Sequence, residues 1–475
     1  MRFVSTRGTA PTLGLRDAVL TGLARDGGLY VPEAWPRIEA DGWRALRGAP
    51  YATVAKRVLA PFVEGEIEEA AFGRMVDEAY ATFSHRAVAP LVQVGPAEWL
   101  LELFHGPTLA FKDVAMQLLA RMMDHVLAER GEHATIVGAT SGDTGGAAIE
   151  AFRGRENTDI FILFPHAKVS DVQRLQMTGV ADENVHAVAV EGDFDDCQAL
   201  VKAMFNDLAF RDEMRLSGVN SINWGRIMAQ IVYYATAALA LGAPDRAVSF
   251  TVPTGNFGDI FAGLAAKRMG LPVADLVIAT NANDILHRTL GSGRYEVTGV
   301  TATSSPSMDI QVSSNFERLL FEASRAEDGG RDADAVVRAM ENLKQSRAFT
   351  IEGSAFEAIR AEFRAGRADE RDVDETIRRT LAETGMVVDP HTAVGLHVAA
   401  GNTDGAPMVT PMVTLATAHP AKFPDAVEAA CGVRPALPPR MGDLMDRPER
   451  STLVPNDLDA LEELIRARSR FPVTA

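Results

Sequence analysis

Thr135-Ile-Val-Gly-Ala-Thr140 runs directly into Ser141-Gly142-Asp143-Thr144-Gly145-Gly146 and then into the apolar stretch Ala147 to Phe152. A short continuous apolar run, a glycine-rich turn and a helical pattern together predict a buried strand feeding a helix. The same order recurs along the chain. Ile160-Phe-Ile-Leu-Phe-Pro165, Val185-His-Ala-Val-Ala-Val190, Val248-Ser-Phe-Thr-Val252, Leu276-Val-Ile-Ala-Thr280 and Met412-Val-Thr-Leu-Ala416 are all apolar runs bounded by turns. Strands that are apolar on both faces and alternate with helices predict parallel sheets covered on both sides, an α/β architecture.

The opening turn also has a chemical reading. Its glycines let a backbone approach a ligand, Ser141 and Thr144 offer hydroxyls, and the following helix start offers free N–H groups, which together suit a carboxylate. A ligand-free βα turn would read the same way. A second turn of this kind, Pro253-Thr254-Gly255-Asn256-Phe257-Gly258-Asp259, lies between a strand and the apolar helix carrying Ile260 and Leu264. Successive N–H groups at a helix N-terminus favour a phosphate. The spacing is neither G-x-x-x-x-G-K-[ST] nor G-x-G-x-x-G, so no nucleotide is implied.

N-terminal to both turns lies Glu102-Leu-Phe-His105-Gly-Pro-Thr108-Leu-Ala-Phe111-Lys112-Asp113. Lys112 follows a Gly-Pro turn, sits beside an aromatic ring and opens a helix with Val114, Leu118, Met122 and Val126 on successive turns. A lysine so placed is poorly solvated as a cation, and a neutral amine forms Schiff bases with aldehydes. An isolated Phe-Lys-Asp is equally the first turn of an ordinary helix. Late in the chain, Leu415-Ala-Thr417-Ala-His419-Pro-Ala-Lys422-Phe423 ends a strand, where open α/β sheets bind ligands. Thr417 is a hydroxyl candidate for a cofactor ring nitrogen; His419 and Lys422 read as a loop histidine and a surface lysine.

The 475 residues suffice for roughly three domains at about 150 residues each. We expect a mostly helical cap over 1–88, an α/β domain over 89–245 carrying Lys112 and the Ser141 turn, and a second over 246–475 carrying the phosphate loop. The charged stretch at about 326–374 reads as a solvated helical insertion. A net charge of −17 argues against nucleic acid or an anionic membrane as main partner. Cys197 and Cys431 form no C-x-x-C pair, and the N-terminus lacks a signal-peptide core, so a cytoplasmic protein without a metal site is expected.

These segments, with Ser5-Thr-Arg-Gly8, Gly22-Leu-Ala-Arg-Asp-Gly-Gly-Leu-Tyr-Val-Pro32, Asn220-Ser-Ile-Asn-Trp-Gly-Arg226, Asn281-Ala-Asn-Asp-Ile-Leu-His287 and Ser305-Pro-Ser-Met-Asp-Ile-Gln-Val-Ser-Ser-Asn-Phe-Glu317, resemble the bacterial and fungal threonine synthases. The likeness covers nearly the whole chain in order. It implies the tryptophan-synthase-β-like fold of the fold-type-II pyridoxal-phosphate enzymes, and conversion of O-phospho-L-homoserine and water into L-threonine and phosphate. It implies that Lys112 carries the cofactor and moves protons, that Gly255, Asn256, Phe257, Gly258 and Asp259 hold the cofactor phosphate, and that Thr417 faces the pyridine nitrogen. Thr140, Ser141, Gly142 and Thr144 would bind the amino-acid end of the substrate. Asp143 stands where related enzymes often have asparagine, leaving its contact with the cofactor 3-hydroxyl open. For the leaving phosphate the candidates are Asn223 and Arg226, then Lys168 and Arg174. A monomer or homodimer is expected. The rivals are another lyase of the same fold, such as a threonine or serine dehydratase or a phospho-lyase, and a non-catalytic sensor of pyridoxal phosphate or an amino acid.

Overall fold

A computed structural model describes residues 1–140, 142–166, 169–402 and 410–471. Two parallel sheets organise it. The first has five strands in the order Thr452–Pro455, Val185–Glu191, Thr158–Pro165, Ala134–Ala139 and Leu216–Ser217, all parallel. The second has six, in the order Phe363–Arg367, Val273–Thr280, Val248–Pro253, Met412–Ala416, Glu98–Glu102 and Leu91–Gln93, parallel except for the last pair. Every residue of Thr158–Pro165 and Val248–Pro253 is buried, as strands covered by helices on both faces require.

The sheet memberships cross the boundaries expected from sequence. Leu91–Gln93 and Glu98–Glu102, N-terminal to Lys112, join the second sheet, whereas Thr452–Pro455, at the far end of the chain, closes an edge of the first. Pairing partners of parallel strands lie far apart in sequence, so local composition carries no sign of which sheet a strand enters. The stretch 326–374 is helix-rich and solvated, with Val336 the one buried residue of Ala333–Ser346 and Ile359 that of Gly353–Glu362. It also contains Phe363–Arg367, an edge strand of the second sheet. Phe363 alone in that strand is buried, and a polar edge strand has too little apolar pattern to be recognised.

Residues 1–88 form helices Leu15–Thr21, Ala40–Arg44, Tyr51–Val63 and Glu69–Ala81, plus a short antiparallel pair, Phe3–Ser5 with Tyr30–Pro32. This cap closes onto the helix Trp224–Ala240, which is buried nearly all round. Rings of Phe3, Phe62 and Trp35 surround Trp224 at 5.6, 5.8 and 6.0 Å. Fully burying a Phe-sized side chain contributes roughly 1.5–3 kcal/mol, so this cluster fixes the helix start that carries Arg226. Arg7 and Thr6 add a polar clamp, both donating to Glu317. Among the described residues no helix is long and apolar enough to cross a membrane.

Candidate active site

Lys112 is the first residue of the helix Lys112–Arg130. The turn before it is locked by Asp113, whose carboxylate accepts from the Thr108 N–H and hydroxyl at 2.7 Å each. Lys112 Nζ lies 4.8 Å from the Phe111 ring centre and 3.4 Å from Asp143 Oδ2. Burial lowers its pKa; the Asp143 carboxylate opposes that, while Lys422 and Arg226 push in the same direction as burial. The amine is therefore inclined to give up its proton.

The strand Ala134–Ala139 delivers the turn that leads into helix Asp143–Phe152. Thr140 Oγ1 accepts from the N–H groups of Gly142 and Gly145 at 2.9 Å each, so its hydroxyl staples the turn. Gly142 has φ +142°, and a Cβ there would lie 2.3 Å from Gln173 Cδ, so only glycine fits. Thr144 is half-buried, and its hydroxyl has no partner among the described residues. Ser141 and Lys168 lie outside the described residues. Asp143 is buried, which alone would raise its pKa. Lys422 at 3.0 Å, Lys112, and the Gln173 amide at 3.0 Å more than offset this and hold it well below the usual carboxylate range.

The second turn carries free donors. Phe257 takes a left-handed conformation, φ +64°, uncommon for a bulky residue. The N–H groups of Gly255, Asn256, Phe257 and Gly258 find no acceptor among the described residues. The carbonyl side is fastened instead: Ser313 Oγ donates to Gly255 O at 2.6 Å, and Asn315 donates to Asn256 O through N and Nδ2 at 3.0 and 2.8 Å. A Cβ on Gly255 would lie 2.8 Å from Ser307 O. Ser307 also places its hydroxyl 3.4 Å from Asp143 Oδ2, so one segment joins the glycine loop to the Lys112 cluster. His391, oriented by Asp389 at 2.7 Å, accepts the Ser307 N–H at 3.3 Å.

Arg226 is buried, makes no side-chain hydrogen bond to a described residue, and leaves its Nε without an acceptor. Burial lowers its pKa to about 10. A buried guanidinium without a carboxylate is costly unless an anion completes it. Asn223 has a different job from the one expected. Its side chain caps the helix carrying Arg226 through Gly225 N at 2.9 Å and donates to Val19 O at 2.7 Å. One oxygen of Asp259 is taken up by tyrosines, while its Oδ2 is buried without a partner among the described residues. Its Oδ1 accepts from Tyr234 at 2.9 Å and from Tyr233. Arg174 pairs near the surface with Asp171 and Glu449, so it is already neutralised.

The strand end brings Thr417 beside the lysine segment: its carbonyl accepts the Phe111 N–H at 2.8 Å, and no described residue takes its hydroxyl. Lys422 overturns the surface reading, being fully buried and bonded to Thr108 O, Gln176 Oε1 and Asp143. His419 is half-buried, and burial takes its pKa down to about 4. Gln173 and Gln176, three apart and so on one face of the helix Asp171–Thr178, complete this polar cluster and were not singled out from sequence. Among the described residues no group of three or more His, Cys, Asp or Glu is arranged to hold a metal ion.

A reactive amine, a cradle of free N–H groups and an unpaired buried arginine fit a phosphorylated aldehyde together with a second anion. Comparison with known proteins agrees. Residues 2–80 match the family described as threonine synthase N terminus, 85–370 that described as pyridoxal-phosphate dependent enzyme, and 392–465 that described as threonine synthase, C-terminal. A threonine synthase of Pseudomonas aeruginosa is 52% identical over 98% of both chains. The crystal structure of PLP-bound threonine synthase from Brucella melitensis superposes with a TM-score of 0.96 at 64% identity, covering 99% of this chain and 100% of that one. The yeast threonine synthase structure gives 0.94 at 37% identity, covering 98% of each chain. The chain belongs to the threonine synthase family of pyridoxal-phosphate dependent enzymes.

Proposed function

We propose that this protein converts O-phospho-L-homoserine and water into L-threonine and phosphate, with Lys112 as the residue that carries pyridoxal phosphate. The observation supporting this most directly is the buried Lys112 amine, loosely held at 3.4 Å by a single carboxylate. Bound pyridoxal phosphate supplies an electron sink that acidifies the substrate first at Cα and then at Cβ. Gly255, Asn256, Phe257 and Gly258 would hold its phosphate through their free N–H groups and the positive end of the helix Gly258–Arg268. Thr417, an uncharged hydroxyl, would meet its ring nitrogen without forcing a proton onto it. Thr140, Ser141, Gly142 and Thr144 would receive the substrate carboxylate.

The Lys112 amine can take the proton from Cα, hand it back to the cofactor-bound substrate and so be free to take the next one from Cβ. The electron pair left at Cβ would expel the γ-phosphate, and the proton then held on Lys112 would return to substrate carbon as water adds at Cβ. Arg226 would hold the phosphate during its departure, with Asn223 fixing the helix start from which it projects. We also propose a cytoplasmic location, in keeping with two unpaired cysteines, and a monomer or homodimer.

The test is turnover. Purified protein given O-phospho-L-homoserine should release L-threonine and phosphate in equal amounts, and Lys112→Ala should lose both turnover and the visible absorption of the bound cofactor. Release of 2-oxobutyrate without threonine would replace this reading with a dehydratase. Absence of any turnover with cofactor bound would favour a sensor.

A further inference from the structure

We propose that Lys422 is a positioning residue: it takes up the negative charge of Asp143, so that the Lys112 amine beside the same carboxylate stays free to react. This rests on the reading of Lys112 as the cofactor-bearing amine and goes beyond it by assigning a second lysine.

The geometry carries the argument. An ammonium has three N–H donors. Lys422 Nζ, with no exposed surface, has three oxygen partners: Thr108 O at 2.7 Å, Gln176 Oε1 at 2.9 Å and Asp143 Oδ1 at 3.0 Å. Lys112 Nζ has one, Asp143 Oδ2, at 3.4 Å. Two lysines therefore share one carboxylate, and only one of them is held as a saturated cation. Gln173 reinforces the division by donating to Oδ1, the oxygen facing Lys422. Gln176 fixes Lys422 from a second side and donates to Thr108 O at 3.0 Å, tying the cluster to the turn before Lys112.

A buried cation is expensive to desolvate, so a fully enclosed Lys422 needs every one of these acceptors. What its charge does for Lys112 follows from sign. Asp143 raises the proton affinity of Lys112 and Lys422 lowers it. The other titratable or charged groups facing this cluster are Arg226, Asp113 (held by the Thr108 N–H and hydroxyl, and drawn on by Lys422), Asp259 (held by Tyr233 and Tyr234) and His391, which is paired with Asp389 and faces Asp143. None of them bonds to Asp143 as Lys422 does. Without Lys422, Lys112 becomes the one lysine on Asp143, and its proton is retained.

The experiment reads Lys112 itself. Full-length protein stripped of cofactor is labelled with trace acetic anhydride across a pH series, and acetylation of the Lys112 peptide is followed by mass spectrometry. In Lys422→Met the labelling midpoint should rise by about one pH unit or more, a tenfold or larger loss of reactivity below the midpoint. In Lys422→Met/Asp143→Asn, where anion and cation are both gone, the midpoint should return toward wild type. Asp143→Asn alone should lower it. If Lys422→Met does not fold, the double variant compared with Asp143→Asn measures the same charge, and the double variant should titrate higher. An unchanged midpoint in either comparison overturns the proposal. Because no cofactor takes part, this result is separate from the loss of visible absorption in Lys112→Ala, which tests the parent reading alone.

Discussion

Replacing Arg226 with methionine sets two effects against each other. The guanidinium is buried without an acceptor for its Nε, and burial takes its pKa from the ordinary guanidinium range, above about 12, to about 10. At about 1.4 kcal/mol per pH unit, that is on the order of 3 kcal/mol by which folding disfavours the charged form. The group is a base whose folded value is depressed. The penalty is therefore full at neutral pH and relaxes only as pH rises past about 10. Arg226→Met removes it while keeping much of the volume, so the substrate-free protein should gain up to about 3 kcal/mol, read as a higher urea midpoint.

Binding should move the other way. Losing a charge-assisted contact to a phosphate costs about 2–4 kcal/mol, which corresponds to roughly a 30- to 1000-fold rise in KM for O-phospho-L-homoserine. The cofactor spectrum should stay intact, and inorganic phosphate should stabilise wild type more than the variant. An unchanged KM would refute the assignment. A lower urea midpoint would refute the energetic argument, because it would mean the guanidinium is already satisfied in the substrate-free protein.

Burial raises the Asp259 pKa from 3.8 to about 6 against the pull of its tyrosine partners, so its stabilising share is present in acid and lost as pH rises through about 6. Asp259→Asn keeps an acceptor for both hydroxyls. Its stability relative to wild type should be near zero at about pH 4 and reach about 3 kcal/mol above pH 6 in urea melts, and a pH-independent difference would refute this. Gly142→Ala would put a methyl 2.3 Å from Gln173 Cδ in a strained backbone region. We expect kcat/KM to fall about tenfold or more at unchanged cofactor affinity, and wild-type kinetics would count against the turn as a substrate site.

The residues that belong to local patterns were legible. A strand, a glycine turn and a helix start are contiguous, so the Asp143 and Gly255 turns could be read where they stand, and Lys112 gained meaning from having both of them in the same chain. Residues defined by distant partners were not. Lys422 looks like a surface lysine because its acceptors, Thr108 and Gln176, are 314 and 246 residues away in sequence. Asp259 looked like part of the loop because helix position does not reveal side-chain direction, which Tyr233 and Tyr234 decide. Asn223 was recognised inside a motif, but its role as a cap depends on Val19 in a separate part of the chain. The sheet exchange had the same cause, since strand partners are chosen by three-dimensional pairing.

That exchange has a bearing on how the chain is made. Val185–Glu191 is flanked on one side by Thr158–Pro165 and on the other by Thr452–Pro455, which leaves the ribosome more than 250 residues later. Until then one row of backbone donors and acceptors on an apolar strand has no mate, the condition under which nascent chains pair with each other. A fragment ending at residue 245 would keep that open edge permanently and lack the sheet that receives Glu98–Glu102. The two lobes are thus obliged to mature together, and the last helix and strand act as the latch that makes the first lobe safe from aggregation.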